Sequence, residues 1–285
     1  MVAHFTPERP IVTAQWLKSH LAAPDVRVLD CTWYMPSEPR TGRQAYDGHH
    51  IPGARFFDID DIADTDSPLP HMLPQPEKFS SRVRRLGLGD GHRVICYDQN
   101  NFLASARVWW MFRVMGHEDV AVLDGGFEGW RASGGEVEDL PPHFHADRHF
   151  TVRPRRDLVR DIDQMKQALA GAAQVVDARS APRFKGEVEE PRPGLRKGHM
   201  PGAINVPYGD VLNSGFLKPE AEIREIFANA GVDLSRPIIN TCGTGVTAAV
   251  LALAQSLAGH DDAAVYDASW CEWGLPQAAT PVEAG

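Results

Sequence analysis

The sequence predicts an α/β protein built from two tandem domains, each a parallel sheet flanked by helices on both faces. Short apolar runs that end in a polar residue alternate along the chain with helical stretches. That alternation is typical of buried parallel strands joined by helices. The same series of segments also occurs twice along the 285 residues, which indicates a duplicated domain.

The repeat is carried by segments that keep the same order in both halves. Residues 26–30 match 174–177, 50–54 match 199–203, 94–98 match 238–242, and 121–124 match 264–267. Agreement at one place would mean little, whereas ordered agreement along the chain predicts one domain at 9–140 and a second at 158–280. The stretch 141–157 is rich in Pro, His and Arg without apolar periodicity, so it is predicted to be the linker.

Each half is predicted to begin with a capped helix. Thr13 precedes the helical stretch 14–18, and Asp161 precedes 162–170. Both side chains can accept a hydrogen bond from the first turn. Because ligands of open parallel sheets bind at the carboxyl ends of the strands, the functional site is expected there.

Charge and composition exclude several classes of function. The formal net charge of −9 disfavours nucleic-acid binding, and no apolar run is long enough to span a membrane. Cys31, Cys96, Cys242 and Cys271 are widely spaced and form no Cys-x-x-Cys pair. Neither a disulfide framework nor a zinc site is therefore expected, and the cysteine pattern favours a reducing, cytoplasmic location.

One cysteine occupies a position suited to nucleophilic chemistry. Cys242 follows a predicted strand at 237–241 and precedes a Gly-x-Gly loop at 243–247 and a predicted helix at 248–258. Successive backbone N–H groups and the helix N-terminus lower a thiol's pKa, and glycines let the backbone curl around the sulfur. An inert buried cysteine is the alternative, but it does not explain the loop and helix that follow.

The loop does not fit either of two known kinds of phosphate-binding loop. The loop has no lysine at the position that a P-loop requires. A cysteine phosphatase closes its loop with an arginine, whereas Val246 and Thr247 stand at that end.

The chain resembles the rhodanese superfamily, and within it the tandem-domain 3-mercaptopyruvate sulfurtransferases. The resemblance is carried by residues 45–60, 71–74, 106–112 and 123–126 in the first half, and by 198–203, 242–247 and 266–273 in the second. It implies two rhodanese-like domains, of which the N-terminal one is catalytically silent. Asp98 stands where the repeat puts Cys242, and a carboxylate cannot form a persulfide.

The resemblance implies that sulfur moves from 3-mercaptopyruvate to a persulfide on Cys242, with release of pyruvate. The acceptor would be a thiol such as thioredoxin, glutathione or another small thiol, or cyanide, and neither a metal nor an organic cofactor is expected. The neutral loop Cys-Gly-Thr-Gly-Val-Thr resembles the Cys-Gly-Ser-Gly-Val-Thr of mercaptopyruvate-preferring members, with Thr244 in place of the more familiar serine. Thiosulfate-preferring members resemble Cys-Arg-Lys-Gly-Val-Thr.

Two alternatives stay open on the same scaffold. One is a thiosulfate:cyanide sulfurtransferase, which the ratio of specificity constants for the two donors distinguishes. The other is a persulfide carrier or redox-sensing module, which predicts slow turnover but ready persulfidation of Cys242.

Arg183 and Arg192 match the family's carboxylate-binding arginines. A forked guanidinium suits a keto-acid carboxylate, because two parallel charge-assisted bonds fix its plane. The alternative is a pair of solvated arginines that neutralise the nearby Glu187, Glu189 and Glu190. The remaining substrate-binding positions are assigned to the loop, at Gly243, Gly245, Val246 and Thr247.

Thr244, His71 and Asp60 resemble a proton relay of this family. A hydroxyl, an imidazole and an orienting carboxylate can move a proton between the donor thiol and the departing enolate. The alternative is structural: Asp60 caps local structure and His71 packs between other groups.

Overall fold

The computed structural model describes residues 10–100, 102–141 and 148–285. Over these residues the chain divides into two compact units. The first comprises the described residues up to Ile62 together with Pro74–Arg155 and Ser214–Phe216, and the second comprises Ala63–Leu73, Arg156–Asn213 and Leu217–Gly285. The domain limits predicted from the sequence stay a prediction, and residues 142–147 of the predicted linker lie outside the described residues.

The first unit contains a parallel sheet with the strand order β1-β5-β4-β2-β3. The strands are β1 (Ile11–Val12), β2 (Val26–Asp30), β3 (Arg55–Phe56), β4 (Arg93–Tyr97) and β5 (Val120–Leu123). The helices are α1 (Ala14–His20), α2 (Gly42–Gly48), α3 (Pro76–Arg85), α4 (Ser105–Val114) and α5 (Gly126–Ala132).

The second unit contains a parallel sheet with the order β6-β12-β11-β7-β8. Its strands are β6 (Val159–Arg160), β7 (Gln174–Asp177), β8 (Ile204–Asn205), β11 (Ile238–Thr241) and β12 (Ala264–Tyr266). In addition, β9 (Leu212–Asn213) pairs with β10 (Phe216–Leu217), of which only Leu217 belongs to this unit. The helices are α6 (Ile162–Leu169), α7 (Ala181–Phe184), α8 (Glu220–Asn229), α9 (Ala248–Leu257) and α10 (Ser269–Trp273), with 3-10 turns at Arg156–Leu158, Tyr208–Val211 and Pro276–Ala278.

The two sheets have the same topology, because the second order repeats the first when each strand is replaced by its counterpart. A local detail is repeated as well. His50 pairs its backbone with Glu138, and His199 pairs its backbone with Glu283, with N–H to O distances of 2.8–2.9 Å. The predicted tandem α/β fold is confirmed, and the histidines of the repeated motif serve to tie chain segments together.

The predicted caps are confirmed in both units. The Oγ1 of Thr13 accepts from the N–H of Trp16 at 3.1 Å at the start of α1. Asp161 and Gln164 form a capping box at the start of α6. No helix in the described part of the chain is long and apolar enough to cross a membrane.

The tryptophans fill the cores. Trp130 lies in the core of the first unit with Leu17, Ile51 and Leu123, and Trp273 lies in that of the second. Each indole N–H reaches a backbone carbonyl, Glu136 for Trp130 at 2.7 Å and Pro281 for Trp273 at 2.9 Å. Burial of such large rings is favourable here because their polar atoms keep a partner.

His92 is a buried titratable group in the first unit. Its Nδ1 accepts a hydrogen bond from the backbone N–H of Gly89 at 2.9 Å, so the ring is held as an acceptor. Burial, followed by the positive charges of Arg27 and Arg148, lowers the pKa of His92 from 6.5 to about 4. The native state therefore binds fewer protons at this residue than the unfolded chain does.

We predict that His92 makes the protein less stable as the pH falls. The native pKa of His92 lies below its unfolded value. Its contribution to the free energy of unfolding is therefore complete above pH 6.5 and is lost as the pH falls toward 4. In His92→Asn the amide oxygen can still accept from Gly89 but does not titrate. Urea unfolding at about pH 7 and about pH 5 should show a smaller acid-induced loss in the variant than in the wild type. Equal losses would contradict the assignment.

Candidate active site

The Cys242 loop lies at the carboxyl end of a central strand. Strand β11 runs between β12 and β7 and ends at Thr241, and Cys242 follows with only 2% of its surface exposed. Helix α9 then begins at Ala248, directly after the loop. The strand, loop and helix predicted around this cysteine therefore occur in the expected order.

The first turn of α10 anchors the loop. The Oγ of Ser269 accepts from the N–H of Cys242 at 3.1 Å and donates to the carbonyl of Tyr266 at 2.8 Å. The N–H groups of Trp270 and Cys271 donate to the carbonyls of Cys242 and Gly243 at 3.0 and 2.9 Å. Ser269 was not predicted to have a role, although it lies within segment 266–273, which carries part of the family resemblance.

The two loop glycines are needed for different reasons. Gly245 has a φ of +76°, in the left-handed region that favours glycine. Gly243 is outside that region, but a Cβ built on it would lie 3.0 Å from Nη2 of Arg183. The expectation that glycine supplies backbone freedom holds for Gly245, whereas Gly243 supplies space for an arginine.

Cys271 is a second thiol beside the loop. Burial raises its pKa to about 11, a charge on Cys242 acts in the same direction, and Arg192 and Arg183 act against it. Cys271 therefore stays protonated near neutral pH. The residues that act on this thiol, Cys242, Arg192 and Arg183, all belong to the second unit.

Of the two predicted arginines, Arg183 lies in the short helix α7 and Arg192 lies in the segment between α7 and β8. Arg183 pairs with Glu190, whose side chain is only 2% exposed, with Nη2 to Oε2 at 2.5 Å. Arg192 places its Nη2 3.4 Å from Nε2 of His71. Glu189, in contrast, is exposed and pairs with Lys197 at 3.1 Å. Arg183 is thus partly buried and neutralises Glu190, one of the three glutamates named in the alternative, and its role in substrate binding stays a prediction.

Arg179 and Glu190 belong to the site but were not assigned from the sequence. Arg179 is fully buried, and its guanidinium contacts Asp177 at 2.7–3.1 Å and Glu190 at 2.9 Å. It also lies over the ring of Trp270, 4.2 Å from the centroid. The sequence Asp-x-Arg at the end of β7 could have indicated a buried ion pair, because charged residues at the end of a buried strand require charged partners.

His71 is part of the second unit. Its segment is held there by the N–H of Leu73, which donates to Oδ2 of Asp267 at 2.8 Å, and by Leu69 and Met72 packed against the core. A guanidinium can only donate hydrogen bonds, so Nε2 of His71 accepts from Arg192. In a neutral ring the proton is then on Nδ1.

The other two predicted relay residues, Asp60 and Thr244, belong to different units. Asp60 belongs to the first unit, where its Oδ2 accepts from the indole N–H of Trp33 at 2.8 Å. Thr244 is half-buried in the loop of the second unit. The structure thus brings His71 to Arg192, and the relay stays a prediction.

The first unit contains the counterpart loop with an aspartate in place of the cysteine. The carboxylate of Asp98 accepts from the N–H groups of Asn100, Phe102, Ala104 and Ser105 at 2.9–3.2 Å. This loop therefore encloses a carboxyl group supplied by its own chain. Among the described residues, no group of His, Cys, Asp and Glu side chains could hold a metal ion.

Comparisons with known proteins show full-length relatives. The 3-mercaptopyruvate sulfurtransferase of Escherichia coli K12 is 42% identical over 273 residues, 95% of this chain and 97% of the relative. The human 3-mercaptopyruvate sulfurtransferase is 40% identical, with 93% and 92% covered. The crystal structure of SseA from Escherichia coli, at 39% identity, gives a TM-score of 0.84 and covers 92% of this chain and 99% of its own.

Fold and site together define a tandem rhodanese-type protein with one cysteine loop. The rhodanese-like domain family matches residues 13–133 and 161–275. The chain belongs to this family, in its tandem-domain 3-mercaptopyruvate sulfurtransferase group. The predicted family is thereby confirmed.

We predict that Ser269 stabilises the loop. Ser269→Ala leaves the buried N–H of Cys242 without its acceptor, which should lower the free energy of unfolding by about 1–3 kcal/mol. Ser235→Ala is the control, because it removes an exposed hydroxyl that contacts Asp233 and should change stability by less than about 0.5 kcal/mol. Urea unfolding measures both, and equal effects would refute the anchoring role.

Proposed function

We propose that the protein is a sulfurtransferase that takes sulfur from 3-mercaptopyruvate and carries it as a persulfide on Cys242. The observation that carries the proposal is the neutral Cys-Gly-Thr-Gly-Val-Thr loop at the end of β11, beside two arginines. Relatives named 3-mercaptopyruvate sulfurtransferases match this chain at 40–42% identity over nearly their whole length.

The donor would be bound through its carboxylate. Arg183 and Arg192 supply charge-assisted N–H donors in the neighbourhood of the cysteine, and forked guanidinium groups fix the plane of a carboxylate. With the carboxylate held there, the mercapto sulfur of the donor would face Cys242. Such positioning converts a bimolecular encounter into a reaction between prealigned atoms.

In the sulfur-transfer step the Cys242 thiolate attacks the mercapto sulfur of the donor. An S–S bond forms, the donor C–S bond breaks, and its electron pair leaves on the enolate of pyruvate. The mercapto hydrogen stays on the outer sulfur of the persulfide, and one further proton converts the enolate to pyruvate. Before the attack, the thiol of Cys242 must lose its proton. All the electrons of the step come from the cysteine and the donor, so no oxidant or reductant is required.

The proton would come from the relay of Thr244, His71 and Asp60. His71 lies beside Arg192 in the second unit, which supports its role near the donor. The part of Asp60 is proposed on the family resemblance alone. The backbone of Gly243, Gly245, Val246 and Thr247 would enclose the outer sulfur of the persulfide. The way in which the counterpart loop surrounds Asp98 supports that role.

The acceptor is proposed to be a thiol such as thioredoxin, glutathione or another small thiol, or cyanide. Attack of the acceptor thiolate on the outer sulfur returns Cys242 to its thiolate form. We also propose a cytoplasmic location, because the four cysteines, all within the described residues, are free thiols.

We predict that turnover depends on Cys242 and prefers 3-mercaptopyruvate to thiosulfate. Steady-state rates with one acceptor should show the larger kcat/KM for 3-mercaptopyruvate, because the neutral loop lacks the cations that suit a dianion. Cys242→Ser should abolish turnover, whereas Cys96→Ala, in the core of the first unit, should retain it. A preference for thiosulfate would instead support the thiosulfate:cyanide alternative. Slow turnover with both donors and ready persulfidation would support the carrier alternative.

We predict that the hydroxyl of Thr244 contributes to the release of pyruvate. Thr244→Val keeps the shape but removes the hydroxyl, and should lower kcat roughly 100-fold if the relay delivers the proton. Thr244→Ser should keep most of the wild-type rate. The measurement is pyruvate formation at saturating 3-mercaptopyruvate, and an unchanged kcat in Thr244→Val would remove this residue from the relay.

A further inference from the structure

Arg183 is held more firmly than an arginine on a surface loop. Glu190 accepts from both Nη2 and Nε of Arg183, at 2.5 and 3.4 Å. The carboxylate thus occupies one edge of the guanidinium, the edge formed by Nε and Nη2. The edge formed by Nη1 and Nη2 is the one left for a bound carboxylate.

Glu190 is in turn fixed by the interior of the second unit. Its Oε1 accepts from Nη1 of Arg179 at 2.9 Å. The other nitrogens of Arg179 donate to the carboxylate of Asp177 at 2.7–3.1 Å and to the carbonyl of Gly198 at 2.9 Å. These groups are buried, so separating any pair would leave an uncompensated charge in the interior. The position of Arg183 is therefore set from the end of β7.

The guanidinium held in this way lies directly against Gly243, the residue after the nucleophile. A Cβ on Gly243 would lie 3.0 Å from Nη2 of Arg183, closer than such atoms normally approach. The φ of Gly243 lies outside the left-handed region, so its backbone would accept alanine. A free arginine would swing away from an added methyl group, whereas one paired with Glu190 cannot do so without breaking a buried contact.

We propose that Glu190 and Arg179 are positioning residues: through buried ion pairs they hold Arg183 against Gly243, so that recognition of the donor carboxylate by Arg183 depends on them. The absence of a side chain at position 243 lets the guanidinium stand beside the nucleophile, where it selects donors that carry a carboxylate. This inference rests on the proposed function, in which Arg183 binds the keto-acid carboxylate.

The test compares a donor that has a carboxylate with one that has none. Rates of Cys242 persulfidation are measured by mass spectrometry with 3-mercaptopyruvate and with inorganic polysulfide. Gly243→Ala should lower kcat/KM for 3-mercaptopyruvate about 10- to 100-fold, mainly by raising KM, and should lower the polysulfide rate by a clearly smaller factor, because polysulfide has no carboxylate for Arg183 to bind. Equal losses with both donors would mean general damage to the loop and would overturn the proposal.

The positioning role is tested with a matched pair of neighbouring glutamates. Glu190→Gln should lower kcat/KM for 3-mercaptopyruvate about 10-fold, because it weakens the grip on Arg183. Glu189→Gln makes the same change at a side chain that is 82% exposed and should keep the wild-type rate. Glu190→Asp serves if Glu190→Gln fails to fold, because it keeps the charge but shortens the reach. Wild-type rates in the folded Glu190 variant would contradict the role.

The double variant links the two residues. In the Glu190→Gln background Arg183 can move. Adding Gly243→Ala should therefore lower kcat/KM for 3-mercaptopyruvate by a smaller factor than Gly243→Ala does alone. Losses that simply multiply would show that the two residues act independently and would refute the proposed mechanism. Failure of the proposed function is distinguishable, because the wild-type chain would then release no pyruvate from 3-mercaptopyruvate.

Discussion

The carboxylate of Asp177 is the fixed point on which the candidate site depends. It lies at the end of β7, directly opposite Thr241 of β11, the residue before the nucleophile. Its side chain binds both the backbone N–H and the guanidinium of Arg179, and its carbonyl accepts from the N–H of Val206, beyond β8. This one buried residue therefore connects the end of β7 to the chain beyond β8 and begins the series of ion pairs that leads to Arg183.

The first unit keeps the turn but has no cysteine in its counterpart loop. Asp30, the counterpart of Asp177, also accepts from the backbone N–H two residues later, at 2.9 Å, but that residue is Thr32 and not arginine. At the end of the next strand, Asp98 replaces the cysteine and satisfies the loop N–H groups with its own carboxylate. The first unit thus accommodates a strand end without the cysteine and without the arginine, since the carboxylates of Asp30 and Asp98 accept from backbone N–H groups there.

Local signals in the sequence account for what could be predicted. Apolar runs, caps and the repeat predicted the sheets and their duplication, and a cysteine between a strand and a glycine loop indicated the site. The roles of Arg179 and Glu190 could not be predicted, because a buried ion pair is defined by contacts between distant residues. The unit to which His71 belongs also could not be inferred from its position in the sequence. Its segment precedes α3 of the first unit, yet Asp267 and the second core hold it in the other unit.

Backbone strain marks the same region independently. His71 and Ser269 have φ values of +60° and +51°, in the left-handed region that side chains other than glycine rarely adopt. Such strain persists only where neighbouring contacts compensate for it. For Ser269 these are the hydrogen bonds to Cys242 and Tyr266, and for His71 they include the anchoring of Leu73 by Asp267. Both residues are thus forced into unusual conformations by contacts that also bring them to the cysteine loop and its arginines, which is the pattern expected when geometry at a site outweighs local preference.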